Sequence, residues 1–303
     1  MMEKMRKLIK KMLPKGYLNF AKNLMTMERL DIIENNIKTL LQLSYRKEMG
    51  MPDQKIDLAN HEFKIYSKVG EDGLILYILS KIGAVNHRFV ELGVEEGREC
   101  NTANLSLNFG WRGMLIDANK EGVEKAKAYY GEKLGKSSDN VKPVHCLVSA
   151  ENINKLLVDN GMEGEIDLLS IDIDGNDYWV WKSMNVINPR LVVAEYNTVF
   201  SADKSLTIKY DPNFSHSEED PVYLYFGASL PALNKLANSK GYILVGCDSQ
   251  GHDAFFVRKD LAEGKFQELS PEEAFYPMRH LLQRVGSIDK QFEKIKDFDF
   301  ENI

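Results

Sequence analysis

The chain has 303 residues, 44% of them hydrophobic and 28% charged, with a formal net charge of −6. That is the composition of a globular protein with room for one large domain or two small ones. The acidic balance disfavours nucleic acid as the main partner, because phosphate binding draws on a basic surface.

Residues 1–60 read as a helical extension. The first 25 residues carry Lys4, Arg6, Lys7, Lys10, Lys11, Lys15 and Lys22 against the single acid Glu3. Leu8, Ile9, Met12 and Leu13 fall among them at helical spacing, up to the breakers Pro14 and Gly16. Such a segment is either a solvated tail or a peripheral contact with an anionic membrane surface. A second helix is expected over 27–47, where Leu30, Ile33, Ile37, Leu40 and Leu41 form a packing stripe suited to a homo-oligomer. Gly50, Pro52 and Asp53 mark a linker. No secretory cleavage signal is read at the N-terminus, and no run of about 18 apolar residues occurs. Cys100, Cys146 and Cys247 form no CxxC pair, which argues against structural zinc and suits a reducing cytoplasm.

The region 61–262 alternates strands and helices. After a loop, a helix is expected over 72–82, ending at Gly83. Strand one (88–92) leads through Gly93 and Gly97 to a helix over 100–108. Strand two (113–116) ends at Asp117 and precedes a helix over 120–130. Strand three (144–148) precedes a helix over 153–160. Strand four (167–171) precedes a helix over 178–184. Strand five (191–195) opens a long loop, 197–227. A helix (228–240), strand six (242–245) and strand seven (253–257) follow, and 263–303 reads as a helical tail. Alternation of this kind predicts a Rossmann-like α/β fold, a seven-stranded, mostly parallel sheet with helices on both faces. The turn 246–252 is too short for a parallel crossover, so the last strand should be antiparallel.

The most telling segment is VELGVEEGRECNT, 90–102. An apolar run ends in Glu91, and a glycine bend then opens a helix. Glycine lets backbone approach a ligand at such a junction. A carboxylate beside that bend suits a cationic ligand better than a pyrophosphate, and S-adenosylmethionine carries both an ammonium and a sulfonium. The segments ELGVEEG, LIDAN (115–119) and LLSIDIDGNDYWVW (168–181) together resemble the class I S-adenosylmethionine-dependent methyltransferases, and the glycine loop resembles the FkbM-like group. The likeness runs over 67–260. Glu95 stands where the general G-x-G-x-G loop has its middle glycine, as in the FkbM-like pattern.

The resemblance implies that Gly93 and Gly97 pass under the methionine portion, with Glu95 between them, and that Glu91 faces the cofactor amino group. It implies that Asp117 holds the ribose, with Ala118 or Asn119 near the adenosine. Ser149 either contacts adenine or caps the next helix. Asn101 and Thr102 either bind the cofactor carboxylate at a helix start or cap that helix.

Asp172, Asp174 and Asp177 place three carboxylates within six residues. Crowded like charges need a proton, a cation or solvent. Asp172 or Asp174 therefore acts as general base, or Asp172 and Asp174 with Glu195 and Asn197 hold a divalent metal such as Mg²⁺, or the acids only face solvent beside a turn. Asp177, Tyr196 and Asn197 are candidate substrate contacts. His252 is an alternative base or a surface-loop histidine. Glu71 and Asp72 either cap the helix they begin or reach the cofactor. The 197–227 loop reads as a lid or substrate wall, with Trp179 and Trp181 either in that wall or in the core. The expected activity is O-methylation of a small-molecule or glycan hydroxyl in the cytoplasm, with contact at the inner membrane surface through the N-terminus. The alternatives are a nicotinamide-dependent oxidoreductase and a non-catalytic scaffold.

Overall fold

The computed structural model describes residues 58–215 and 223–303. The basic segment, the second helix and the linker lie outside the described residues. One compact unit runs from Gln54 to Ile303.

After a 3-10 turn at Leu58–His61, the helices and strands are α1 (Glu71–Ile82), β1 (Arg88–Leu92), α2 (Ala103–Phe109), β2 (Arg112–Asp117), α3 (Lys120–Leu134) and β3 (Val141–His145). Next come α4 (Ile153–Asp159), β4 (Gly164–Ile171), α5 (Asp177–Ser183), β5 (Ile187–Glu195) and β6 (Leu206–Ile208). Then follow α6 (Leu230–Ser239), β7 (Tyr242–Cys247) and β8 (Asp253–Arg258), succeeded by four short helices, α7 (Lys259–Ala262), α8 (Pro271–Ala274), α9 (Arg279–Arg284) and α10 (Ile288–Glu293), and β9 (Phe300–Asn302).

The main sheet has the order β3-β2-β1-β4-β5-β8-β7. The first five strands pair in parallel, and β8 runs antiparallel to both β5 and β7. This is the seven-stranded, mostly parallel sheet that the sequence predicts. Its strands read as continuous apolar runs because both faces are covered. Val90, Met114, Leu169, Val192 and Phe256 pack on one side with Trp181. Phe89, Leu115, Leu168, Val193 and Phe255 pack on the other with Leu74, Ile75 and Ile78 of α1. Trp181 is therefore a core residue, and Trp179 packs partly against the same cluster.

Two expectations are corrected. β3 begins and ends three residues before the expected 144–148, because the edge position accommodates Pro143 inside the strand. The apolar residues 146–148 are thereby freed from the strand. The 263–303 segment is also not simply a helical tail. β9 pairs antiparallel with β6, and Met278, Leu281 and Ile295 share a satellite core with Val199, Phe200, Leu224 and Phe226. The tail thus packs against the long loop after β5.

The strand order reverses between β1 and β4. The carboxyl ends of β1, β2, β4 and β5 meet there, which is where open α/β sheets bind ligands.

Candidate active site

A cavity of about 280 Å³ opens at that edge. Its floor is Gly93, whose φ of +80° puts it in the left-handed region. A Cβ on Gly93 would sit 1.5 Å from the Asp172 carbonyl oxygen. The Gly93 amide donates to the Ile116 carbonyl (2.9 Å) and the Asp172 amide to the Leu92 carbonyl (3.1 Å), so three strand ends are stitched together beneath the cavity. Gly97 lies outside the lining. A Cβ there would press on Ala126 and Tyr130 of α3 at 3.0 and 3.1 Å, so its role is packing.

Asp117 lines the cavity from the end of β2. Its Oδ2 accepts from the Glu95 amide (2.7 Å) and its Oδ1 from the Asn119 amide (2.7 Å). Each oxygen keeps further acceptor capacity. Glu95 and Ala118 also line the cavity, as do Cys146, Leu147 and Val148. Ser149 is outside it. Its amide donates to Asn152 Oδ1 and its carbonyl accepts from the Ile153 amide, which builds the entry to α4.

Glu91 is corrected from ligand contact to internal anchor. It is 3% exposed and accepts from the Asn101 amide (2.7 Å), the Thr102 amide (2.9 Å) and Thr102 Oγ1 (2.5 Å). Burial still pushes its carboxyl above the usual range, against those three donors. The amides of Asn101 and Thr102 are thus taken up within the protein. The Asn101 side chain donates to Ser170 Oγ and Asp253 Oδ2, both at 3.1 Å, and leaves the cofactor set too. Replacing Glu91 by Gln should destabilise the fold by about 1–3 kcal/mol, because an amide group would face backbone donors. Urea denaturation measures this directly.

The acid cluster is only partly assembled as expected. Asp172 and Asp174 line the cavity. Asp174 has a φ of +53°, a conformation that Asp tolerates better than most residues. One oxygen each from Asp172, Asp174 and Glu195 lie within 4.8 Å of one another. Glu195 is 5% exposed, and its Oε2 has no hydrogen-bond partner. Burial, and then the charge of Asp174, push Asp172 up to about 7. Burial, and then Asp172, push Glu195 well above the carboxylate range.

Four other expected site residues face elsewhere. Asp177 accepts from the Ile173 and Gly175 amides (2.8 and 2.9 Å) and so shapes the 173–175 turn. Asn197 donates to the Leu224 and Phe226 carbonyls and accepts from the Val199 amide, which removes it from any metal or substrate set. The Tyr196 hydroxyl donates to the Tyr276 carbonyl (2.7 Å). His252 lies outside the cavity lining, with its ring stacked on His280 at 5.6 Å. Burial, then Lys68 and His280, lower it to about 3, so it is neutral at pH 7. Its place outside the lining, and the weak basicity that this burial imposes on the ring, correct its expected role as base.

Sequence reasoning missed Lys68, which lines the cavity opposite the acids. The neighbouring acids explain its placement. Asp72 Oδ2 accepts from the amides of Ile65, Tyr66 and Ser67 and from Ser67 Oγ, at 2.7–2.8 Å. Glu71 Oε2 accepts from the Val69 and Gly70 amides. These two acids fold the loop before α1, rather than capping α1 or reaching a ligand.

The sheet is a Rossmann-like, seven-stranded and mostly parallel one with a single antiparallel strand. No protein-family model matches the sequence, and no curated protein matches it. Solved structures with a loose likeness include the O-methyltransferase from Bacillus cereus in complex with S-adenosylhomocysteine, at 15% identity, covering 72% of this chain and 89% of that one with a TM-score of 0.39. A second is the S-adenosylmethionine-dependent methyltransferase from Clostridium acetobutylicum, at 10% identity, covering 74% and 99% with a TM-score of 0.39. A third is the N-terminal domain of EvdMO1 with S-adenosylhomocysteine bound, at 12% identity, covering 62% and 79% with a TM-score of 0.39. The strand order itself defines the fold.

Proposed function

We propose that this protein is an S-adenosylmethionine-dependent methyltransferase of the FkbM-like kind, acting on an oxygen of a small-molecule or glycan acceptor. The observation that carries this is the charge of the cavity. Glu95, Asp117, Asp172 and Asp174 line it against a single lysine, above a glycine floor at a sheet switch point. Such a lining attracts a sulfonium and an ammonium and repels a pyrophosphate, which also disfavours the nicotinamide reading. Asp117, which lines the cavity from the end of β2, would accept from two ribose hydroxyls. Calorimetry with S-adenosylhomocysteine and with NAD tests the reading. Binding of the first supports it, and binding of NAD alone defeats it.

Bound S-adenosylmethionine would supply a sulfonium methyl group for direct displacement by the acceptor oxygen, with S-adenosylhomocysteine as the leaving group. The hydroxyl proton passes to Asp172. The protein contributes alignment and a proton acceptor. Asp172 must be ionised to accept that proton, so turnover should rise with pH to a plateau, with a midpoint near the value of about 7 that burial imposes. A pH–rate profile without that limb removes Asp172 as base.

A second version rests on the Asp172–Asp174–Glu195 triad. Three hard oxygens at that spacing, on residues that include a Glu195 whose buried Oε2 has no hydrogen-bond partner, fit a divalent cation such as Mg²⁺. The ion would lower the pKa of the acceptor hydroxyl. Under the first version EDTA leaves the rate unchanged, and a loss restored by Mg²⁺ establishes the second.

The cytoplasm, the inner membrane surface reached through the basic N-terminal segment, and a homo-oligomer formed through the 27–47 stripe complete the proposal. Among the described residues no helix is long and apolar enough to cross a membrane.

A further inference from the structure

The cofactor proposed above has three charged groups, an ammonium, a sulfonium and a carboxylate. The four lining acids suit the first two. The carboxylate was expected at the start of the helix after the glycine loop. The Asn101 and Thr102 amides there are held by Glu91 at 2.7 and 2.9 Å, so that anchor is closed. A bound carboxylate in this cavity therefore lacks its expected partner.

Lys68 is the sole basic side chain among the lining residues. Its side chain is exposed, so it can move toward a ligand without breaking a buried contact. Its backbone is fixed. Asp72 and Glu71 tie down the amides on either side, and Lys64 Nζ donates to the Lys68 carbonyl at 2.7 Å. Lys64 also pairs with Glu99 at 2.6 Å, which joins this loop to the glycine-loop segment. The whole arrangement holds a flexible ammonium at the cavity wall.

We propose that Lys68 binds the α-carboxylate of the methyl donor and thereby selects an intact amino-acid moiety. This rests on the donor reading above and adds a residue to it. The charges of Asp172, Glu195, Asp253 and Asp174 favour its protonated form. The donor would then sit with its ammonium toward the acids and its carboxylate toward Lys68. A carboxylate on one lysine is a charge-assisted contact.

The test is calorimetry on the full chain, as wild type, Lys68→Met and Lys68→Arg. The probes are S-adenosylmethionine and its decarboxylated analogue, which keeps the ammonium and the sulfonium. Lys68→Met should weaken S-adenosylmethionine by about 10- to 100-fold. It should leave the analogue unchanged, and Lys68→Arg should recover most of the affinity. Thermal unfolding checks that the variants fold, which exposure of the side chain favours. Equal losses for both probes, or no loss for either, overturn the assignment. A wild-type chain that binds neither probe overturns the donor reading itself, a separate and recognisable failure.

Discussion

Gly93→Ala should abolish binding of S-adenosylhomocysteine and cost the fold about 4 kcal/mol or more. Two penalties combine. A φ of +80° costs an L-residue roughly 1–2 kcal/mol by itself. The added Cβ would also lie 1.5 Å from the Asp172 carbonyl oxygen and 2.6 Å from its carbon, both backbone atoms. Neither can yield without parting β1 from β4, because the Asp172 amide is bonded to Leu92 beneath them. Gly110→Ala is the control. Its φ is +70°, but nothing lies within 4 Å of the new Cβ, so only the conformational penalty applies. Chemical denaturation and calorimetry of the two variants make the comparison. A Gly93→Ala protein with wild-type stability and affinity would refute the described junction.

Asp172→Asn should lower turnover by about 10²- to 10⁴-fold while raising stability near neutral pH. The two effects share one cause. Asp172 sits at about 7 in the folded protein, above its ordinary value of 3.8, because burial and the charge of Asp174 disfavour its ionised form. A raised carboxyl contributes stability that is present at low pH and lost as pH rises through the folded value. Above pH 7 the wild type therefore holds a destabilising charge that Asn lacks. Below about pH 4 the carboxyl is protonated in both folded and unfolded states, so the two proteins should converge. Melting temperatures taken from pH 4 to pH 8 display this. A variant less stable than wild type at pH 8, or one with full turnover, would contradict the assignment. Active sites commonly trade stability for chemistry in this way.

Much of the fold is legible in the sequence for a local reason. Apolar runs covered on both faces, each ending at an acid or a glycine, announce parallel strands and their carboxyl edge. Gly93, Glu95, Asp117, Ala118, Asp172 and Asp174 were readable as cavity residues because they follow strand ends directly. Glu91, Asn101, Asp177, Tyr196 and Asn197 also lie at or near strand ends, yet their polar atoms turn to neighbouring backbone or to other buried side chains. Sequence position does not tell an acid facing a ligand from one satisfying two amides. Lys68 was invisible because it lies 25 residues before Gly93, in a loop folded by the hydrogen bonds of Asp72 and Glu71. The β6–β9 pair was equally hidden. Two three-residue strands almost a hundred positions apart carry no periodicity to detect.

Phe214 lines the cavity and also a second hollow of about 710 Å³, whose other walls include Tyr210, Tyr225 and Phe298. The same ring lies against Gly175, where a Cβ would be 2.4 Å away, and so abuts the turn that presents Asp174. The two chambers thus share a party wall. A molecule in the outer hollow would meet the same ring that lines the inner one. By reciprocity, whatever one occupant does to the affinity of the other is returned in equal measure.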